Sequence, residues 1–192
     1  MPKLLAVDGN SILNRQFYGI RPLTNSAGVY TQAVYGFLNV LFSQLDNLKP
    51  DYVAVAFDLK APTFRHKFYP EYKAGRHAMP SELAMQFPYA KKCISALGIK
   101  VIELEGYEAD DILGTLSRMA EEISAEDIFL RATATAISLS ATKPPFFMRQ
   151  TPDLFPSPKR SFARNILSNR VSLLTSKLLW ATARTTFPVF PE

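Results

Sequence analysis

Along the first 120 or so positions, apolar residues come in short continuous runs that alternate with longer stripes at helical spacing. Leu4 to Val7 is an unbroken run stopped by Asp8-Gly9, the pattern of a buried strand closed by a turn pair. From Thr31 to Lys49, Ala33, Val34, Phe37, Leu38, Leu41, Leu45 and Leu48 make one helical stripe before Pro50. Tyr52 to Phe57 is a second β-rich run, again closed by an acid, Asp58. Ser81 to Leu97 reads as a helix ended by Gly98, with Pro88 expected to kink or divide it. Lys100 to Leu104 is a third strand candidate, and after Gly106 the residues Ile112, Leu113, Leu116, Met119 and Ala120 form a last helical stripe. Strand and helix thus alternate three times, which predicts an α/β fold with a parallel sheet flanked by helices.

In such sheets ligands collect at the carboxyl ends of the strands. Asp8, Asp58 and the trio Glu108, Asp110 and Asp111 all fall there. Taken singly, an aspartate at a strand end serves as a turn residue, and acids in a helix's first turn are favourable partners of its dipole. Their coincidence at three strand ends favours a shared site. Carboxylates without neighbouring histidine or cysteine ligands suit Mg²⁺ or Mn²⁺ rather than zinc. Two such ions about 4 Å apart can activate water and stabilise both oxygens of a phosphodiester displacement. Residues 60 to 80 add Lys60, Arg65, Lys67, Lys73 and Arg76, interleaved with Phe64, Phe68, Tyr69 and Tyr72. Mixed basic and aromatic residues neutralise phosphates and stack on unpaired bases, although a solvated surface loop has the same composition. His66 and His77 lack metal-ligand spacing and are assigned to that surface.

Composition divides the chain near Glu122. Residues 1 to 122 hold 13 basic and 13 acidic side chains, whereas 123 to 192 hold 9 and 4, so the tail alone supplies the net charge of +5. All eight glycines precede residue 115; the tail instead has seven prolines and sixteen serines or threonines. Domain limits of 1–122 and 123–192 follow, with the tail expected to be irregular or disordered. The single cysteine, Cys93, excludes an intramolecular disulfide framework and reads as a small packing residue. The start, MPKLLAVDGN, carries only four consecutive apolar residues and does not resemble a signal peptide, and no run is long enough to span a bilayer. A cytoplasmic protein without membrane contact is expected.

In order, VDGNSILNRQFYG, AFDLKAPTFRHKFYPEYKAGR and GYEADDILGTLSR strongly resemble the N-terminal 5′-nuclease domain of bacterial DNA polymerase I, from about Pro2 to Glu122. The resemblance implies a PIN-like, resolvase-like fold and a monomeric flap endonuclease and 5′-to-3′ exonuclease using two metal ions, Mg²⁺ or Mn²⁺. Its substrates would be DNA with a 5′ flap or single-stranded 5′ end and RNA primer–DNA hybrids. On the family pattern Asp8, Asp58, Glu108, Asp110 and Asp111 match metal-site acids. Tyr72, Lys73 and Arg76 match the arch through which the 5′ end passes, with Lys73 and Arg76 as catalytic cations and Arg65 and Lys67 as further DNA contacts. Tyr18 matches an aromatic of the first motif, with either a packing or a base-stacking role.

The family pattern then requires G-D-R-D-S and M-G-D-S-x-D-N-I-P-G-V, neither of which stands in this chain. Reading the tail one base earlier is compatible, through the genetic code, with both. Ala132 to Ala136 permits G-D-R-D-S; Trp180, with its single codon, permits methionine, Ala181 becomes glycine, and Thr182 to Phe190 permits D-S-x-D-N-I-P-G-V. Lys143 to Phe147 likewise permits K-T-T-V-L. The chain from between Glu122 and Arg131 onward is therefore read as an out-of-frame translation, against the alternative of a divergent basic tail. An incomplete fold, incomplete metal sites and little or no turnover are expected. The rival readings are a non-catalytic DNA-binding fragment and a metal-dependent phosphatase or ribonuclease of similar topology.

Overall fold

The computed structural model describes residues 1–69, 71–75, 77–132 and, as backbone, 137–140. Strand β1 (Lys3–Asp8) runs directly into helix α1 (Gly9–Gly19), followed by α2 (Gln32–Leu48) and β2 (Tyr52–Ala56). Next come α3 (Phe64–Phe68), α4 (Ser81–Ala84), α5 (Gln86–Ala96), β3 (Lys100–Ile102), α6 (Ala109–Glu122), β4 (Glu126–Ala132) and β5 (Ile137–Ser140). The sheet order is β3-β2-β1-β4-β5, parallel except for β5.

Alternation along the strands builds two cores. Leu5, Val7, Val53, Val55 and Phe57 face α1, α2 and α5, while Leu4, Ala6, Ala54 and Ala56 face α6 through Ile112, Leu113 and Leu116. Both sheet faces are covered, which is why these strands read as continuous apolar runs rather than alternating ones.

Three sequence expectations change. Asp8-Gly9 is no turn: Asp8 is the N-cap of α1 and its Oδ1 accepts the Ser11 N–H at 2.9 Å, so strand passes straight into helix. The division within 81–97 falls at Met85 rather than Pro88, which sits in the first turn of α5, where a helix has no use for the missing N–H. Past the expected boundary at Glu122, the segment is not irregular, for Glu126–Ala132 is a strand whose residues Glu126 to Leu130 pair with Lys3 to Val7 of β1. Ile128 and Leu130 enter one core and Phe129 packs on the other, which stabilises the segment as a strand despite the change in composition around it. The remaining tail readings, over 133–136 and 141–192, lie outside the described residues. Cys93 is half-buried and burial raises its thiol pKa, in keeping with an inert packing role.

Gln86 joins two helices. The N-cap of α2, Thr31, makes no side-chain cap, and the Gln86 Oε1 instead accepts the Ala33 N–H at 2.8 Å and the Val34 N–H at 3.3 Å. Its Nε2 donates to the Glu82 carbonyl at 2.9 Å. Gln86→Leu leaves those buried donors without an acceptor and should cost about 2 kcal/mol, read as a lower urea midpoint at unchanged slope.

Candidate metal and nucleic-acid site

The chain's direction of winding across the sheet reverses at β1: β2 and β3 lie to one side and β4 to the other. Such a switch point opens a crevice at the carboxyl ends of the strands. Asp8 ends β1, Asp58 follows β2 and Arg131 stands near the end of β4, so the crevice meets the acids.

Asp8 is 5% exposed. Burial pushes its carboxyl up to about 6; the Ser11 N–H and Arg131 oppose the rise, and the nearby charges of Asp110 and Asp58 add to it. Asp58 is clamped by Asn10, whose Oδ1 accepts the Asp58 N–H at 3.1 Å and whose Nδ2 donates to Asp58 Oδ2 at 3.3 Å. The Ala109 N–H, at the start of α6, donates to Asp58 Oδ1 at 2.6 Å. Asn10 therefore ties the end of β1 to the end of β2, and the N-terminus of α6 adds its positive dipole to the second acid.

Glu108, the N-cap of α6, is buried and accepts from Lys73 Nζ at 2.6 Å and from the Tyr72 hydroxyl at 3.2 Å. Lys73 holds a left-handed backbone, φ +64°, unusual for a side-chain-bearing residue and retained here with its ion pair to Glu108. Asp111 turns away: it accepts both arms of the Arg65 guanidinium, at 2.7 and 2.6 Å, and the Glu108 N–H at 3.0 Å. That fork holds the Arg65 pKa above its ordinary value.

Asp8, Asp58, Glu108 and Asp110 line one open cleft of about 510 Å³, together with Tyr18, Tyr72 and Lys73. Of the residues singled out from sequence, Asp111 and Arg65 pair beside the cleft rather than lining it, Lys67 is exposed on α3, and Arg76 lies outside the described residues. Tyr18 is 71% exposed and touches Phe17 edge-on at 5.1 Å, so it is a surface ring of the cleft and not a core residue. His77 lines the cleft as well. Sequence reasoning missed Asn10, Ser11 and Arg131. Asn10 and Ser11 were legible as polar neighbours of Asp8 in VDGNS, whereas nothing local marks Arg131.

Among the described residues no three acids, histidines or cysteines stand close enough, as they lie, to hold one ion. The donor set nevertheless fits a hard divalent cation. It is all carboxylate oxygen, and its members come from the ends of β1 and β2 and the start of α6 to line one cleft.

Residues 3–132 match the family model for the 5′-3′ exonuclease N-terminal resolvase-like domain. The chain belongs to the 5′-3′ exonuclease family. Similar proteins include DNA polymerase I of Caldicellulosiruptor bescii, 42% identical over 137 residues, which are 71% of this chain and 16% of that one. DNA polymerase I of Bacillus subtilis is 48% identical over 62% of this chain and 14% of its own length. The 5′-3′ exonuclease of Aquifex aeolicus is 42% identical over 61% of this chain and 40% of its own length. The chain thus spans about a sixth of the polymerases it matches. A crystal structure of the T5 D15 protein, co-crystallised with metal ions, superposes with a TM-score of 0.51 at 18% identity, over 69% of this chain and 48% of that one, and shows the same fold. In this exonuclease domain the four cleft acids therefore sit on a scaffold shared by the family. No helix among the described residues is long and apolar enough to cross a membrane.

Proposed function

We propose that the cleft is a nuclease site for divalent-cation-assisted hydrolysis of phosphodiesters near a free 5′ end, and that this chain carries only part of it. The observation that carries the reading is the convergence of Asp8, Asp58, Glu108 and Asp110 on one cleft whose lining also holds Tyr72 and Lys73. Mg²⁺ or Mn²⁺ at those acids would supply an activated water and neutralise the phosphate. Asn10 and the Ala109 N–H hold Asp58 in place, and Ser11 holds Asp8. Lys73, released from Glu108, would bring an ammonium to the scissile phosphate, and Tyr18 and Tyr72 offer ring faces to unpaired bases. DNA with a 5′ flap and RNA primer–DNA hybrids are the proposed substrates, acted on by a monomer in the cytoplasm, beside the nucleoid.

The tail bears on how far this chain turns over. The family match ends at residue 132, and from Ala132 the genetic code permits the two missing aspartate motifs in the one-base-shifted reading. Both observations support an out-of-frame tail and a metal site short of its later acids. Sequencing the coding DNA over codons 115 to 140 tests the frame; independent reads with an intact frame would refute it. On a 5′-flap duplex with Mg²⁺, the chain should cleave far more slowly than a version with the shifted frame restored. Robust cleavage by the chain as it stands, abolished by Asp110→Ala, would overturn the impaired reading while leaving the nuclease site intact. Salt-sensitive binding without metal-dependent cleavage by either version would instead favour a DNA-binding fragment.

A further inference from the structure

Arg131 bridges two of the cleft acids. Its Nε lies 3.6 Å from Asp8 Oδ2 and its terminal nitrogen Nη2 3.1 Å from Asp110 Oδ2. The two acids come from different elements, the end of β1 and the first turn of α6, and repel one another. Glu108 is already engaged by Lys73, and Asp111 by Arg65, while Asp58 is held by the neutral donors Asn10 and the Ala109 N–H. Arg131 is thus the cation placed between the remaining pair.

Two features let it leave. The side chain is half exposed, so solvent is open to it. Its backbone, by contrast, is fixed: Arg131 sits in the β4–β5 ladder opposite Ser138, and the next residue, Ala132, exchanges two hydrogen bonds with the Ser11 hydroxyl, at 2.9 and 3.1 Å. The guanidinium can swing out while its anchor stays beside Asp8.

We infer that Arg131 is an internal counterion that occupies the space between Asp8 and Asp110 and competes there with a divalent cation. It stabilises the metal-free domain by neutralising two converging acids, and it weakens metal binding because the ion must displace it. Binding to a state that is only partly populated lowers apparent affinity by that fraction. The inference rests on the metal-site reading above.

The test is Mn²⁺ binding to the metal-free full chain, followed by electron paramagnetic resonance of the free ion, with thermal unfolding in parallel. Arg131→Gln should bind Mn²⁺ about tenfold more tightly, the factor that corresponds to about 1.4 kcal/mol. Its melting temperature should fall without metal and rise further than the wild-type protein's on adding Mn²⁺. Arg131→Lys keeps one charge but loses the two-armed reach, and should bind with intermediate affinity. Equal or weaker Mn²⁺ binding by a folded Arg131→Gln overturns the competitor role and leaves the metal site standing. Failure of both wild type and variant to bind Mn²⁺ overturns the metal-site reading and this inference with it. If Arg131→Gln does not fold, Arg131→Lys decides: affinity no higher than wild type refutes competition.

Discussion

Replacing Asp8 by asparagine should make the metal-free protein more stable at neutral pH while removing its response to divalent cations. The sign follows from the direction of the shift. Burial raises the Asp8 pKa from 3.8 to about 6, so the folded protein holds a proton that the unfolded chain has lost between those values. The associated stability is fully present below pH ~4 and is lost as pH rises through about 6. Above that, the buried ionised carboxylate costs on the order of 3 kcal/mol relative to the unfolded chain. Asparagine keeps the shape and remains a good N-cap for the Ser11 N–H, so the helix start survives. The lost contact with the half-exposed Arg131 at 3.6 Å offsets little of the gain. Urea unfolding at pH 4, 5, 6 and 7 should show the wild-type protein losing stability relative to Asp8→Asn across this range. A difference that stays flat with pH would show that Asp8 carries no raised pKa. Mn²⁺ should stabilise the wild type and leave Asp8→Asn unchanged.

Truncating Phe57 should cost about 3–5 kcal/mol, a large part of the 5–15 kcal/mol that holds a typical domain together. The ring is fully buried at the end of β2, meets Phe87 edge-on with centroids 6.1 Å apart, and lies 5.1 Å from Lys91 Nζ. It also lies so close to Gly9 that a methyl group there would collide with it. Gly9 and Phe57 flank Asp8 and Asp58, so their contact sets the spacing of two cleft acids. Phe57→Ala should lower the urea midpoint by the larger amount, and Gly9→Ala by about 1–3 kcal/mol through overpacking. Because the two residues touch, the double variant Gly9→Ala, Phe57→Leu should lose less than the sum of the single changes. A neutral Gly9→Ala in the wild-type background would refute the close approach.

The three strands read from apolar runs and the long helices read from stripes all form, because both patterns are set by local periodicity. Helix α1 was hidden by Asp8-Gly9, a pair that signals a turn in isolation but here caps a helix, since Asp8 accepts from Ser11. Strand β4 was hidden by the composition change after Glu122; its apolar positions Ile128, Phe129 and Leu130 are few, and only pairing with β1 makes them a strand. In the same way, the basic-aromatic stretch was legible as a group, yet Arg65 is drawn to Asp111 and Lys73 to Glu108 by ion pairs across the fold.

What the sequence alone determined is the kind of elements, their order, the acids at strand ends and, through three ordered motifs, the family. Those signals are local in the chain. The tertiary structure decided which acids share a cleft, that Asp111 does not line it, and that Arg131 meets Asp8. Such choices depend on strand order: β4 joins the sheet beside β1, across from β2, and only that pairing brings residues from opposite ends of the described chain into one charged crevice.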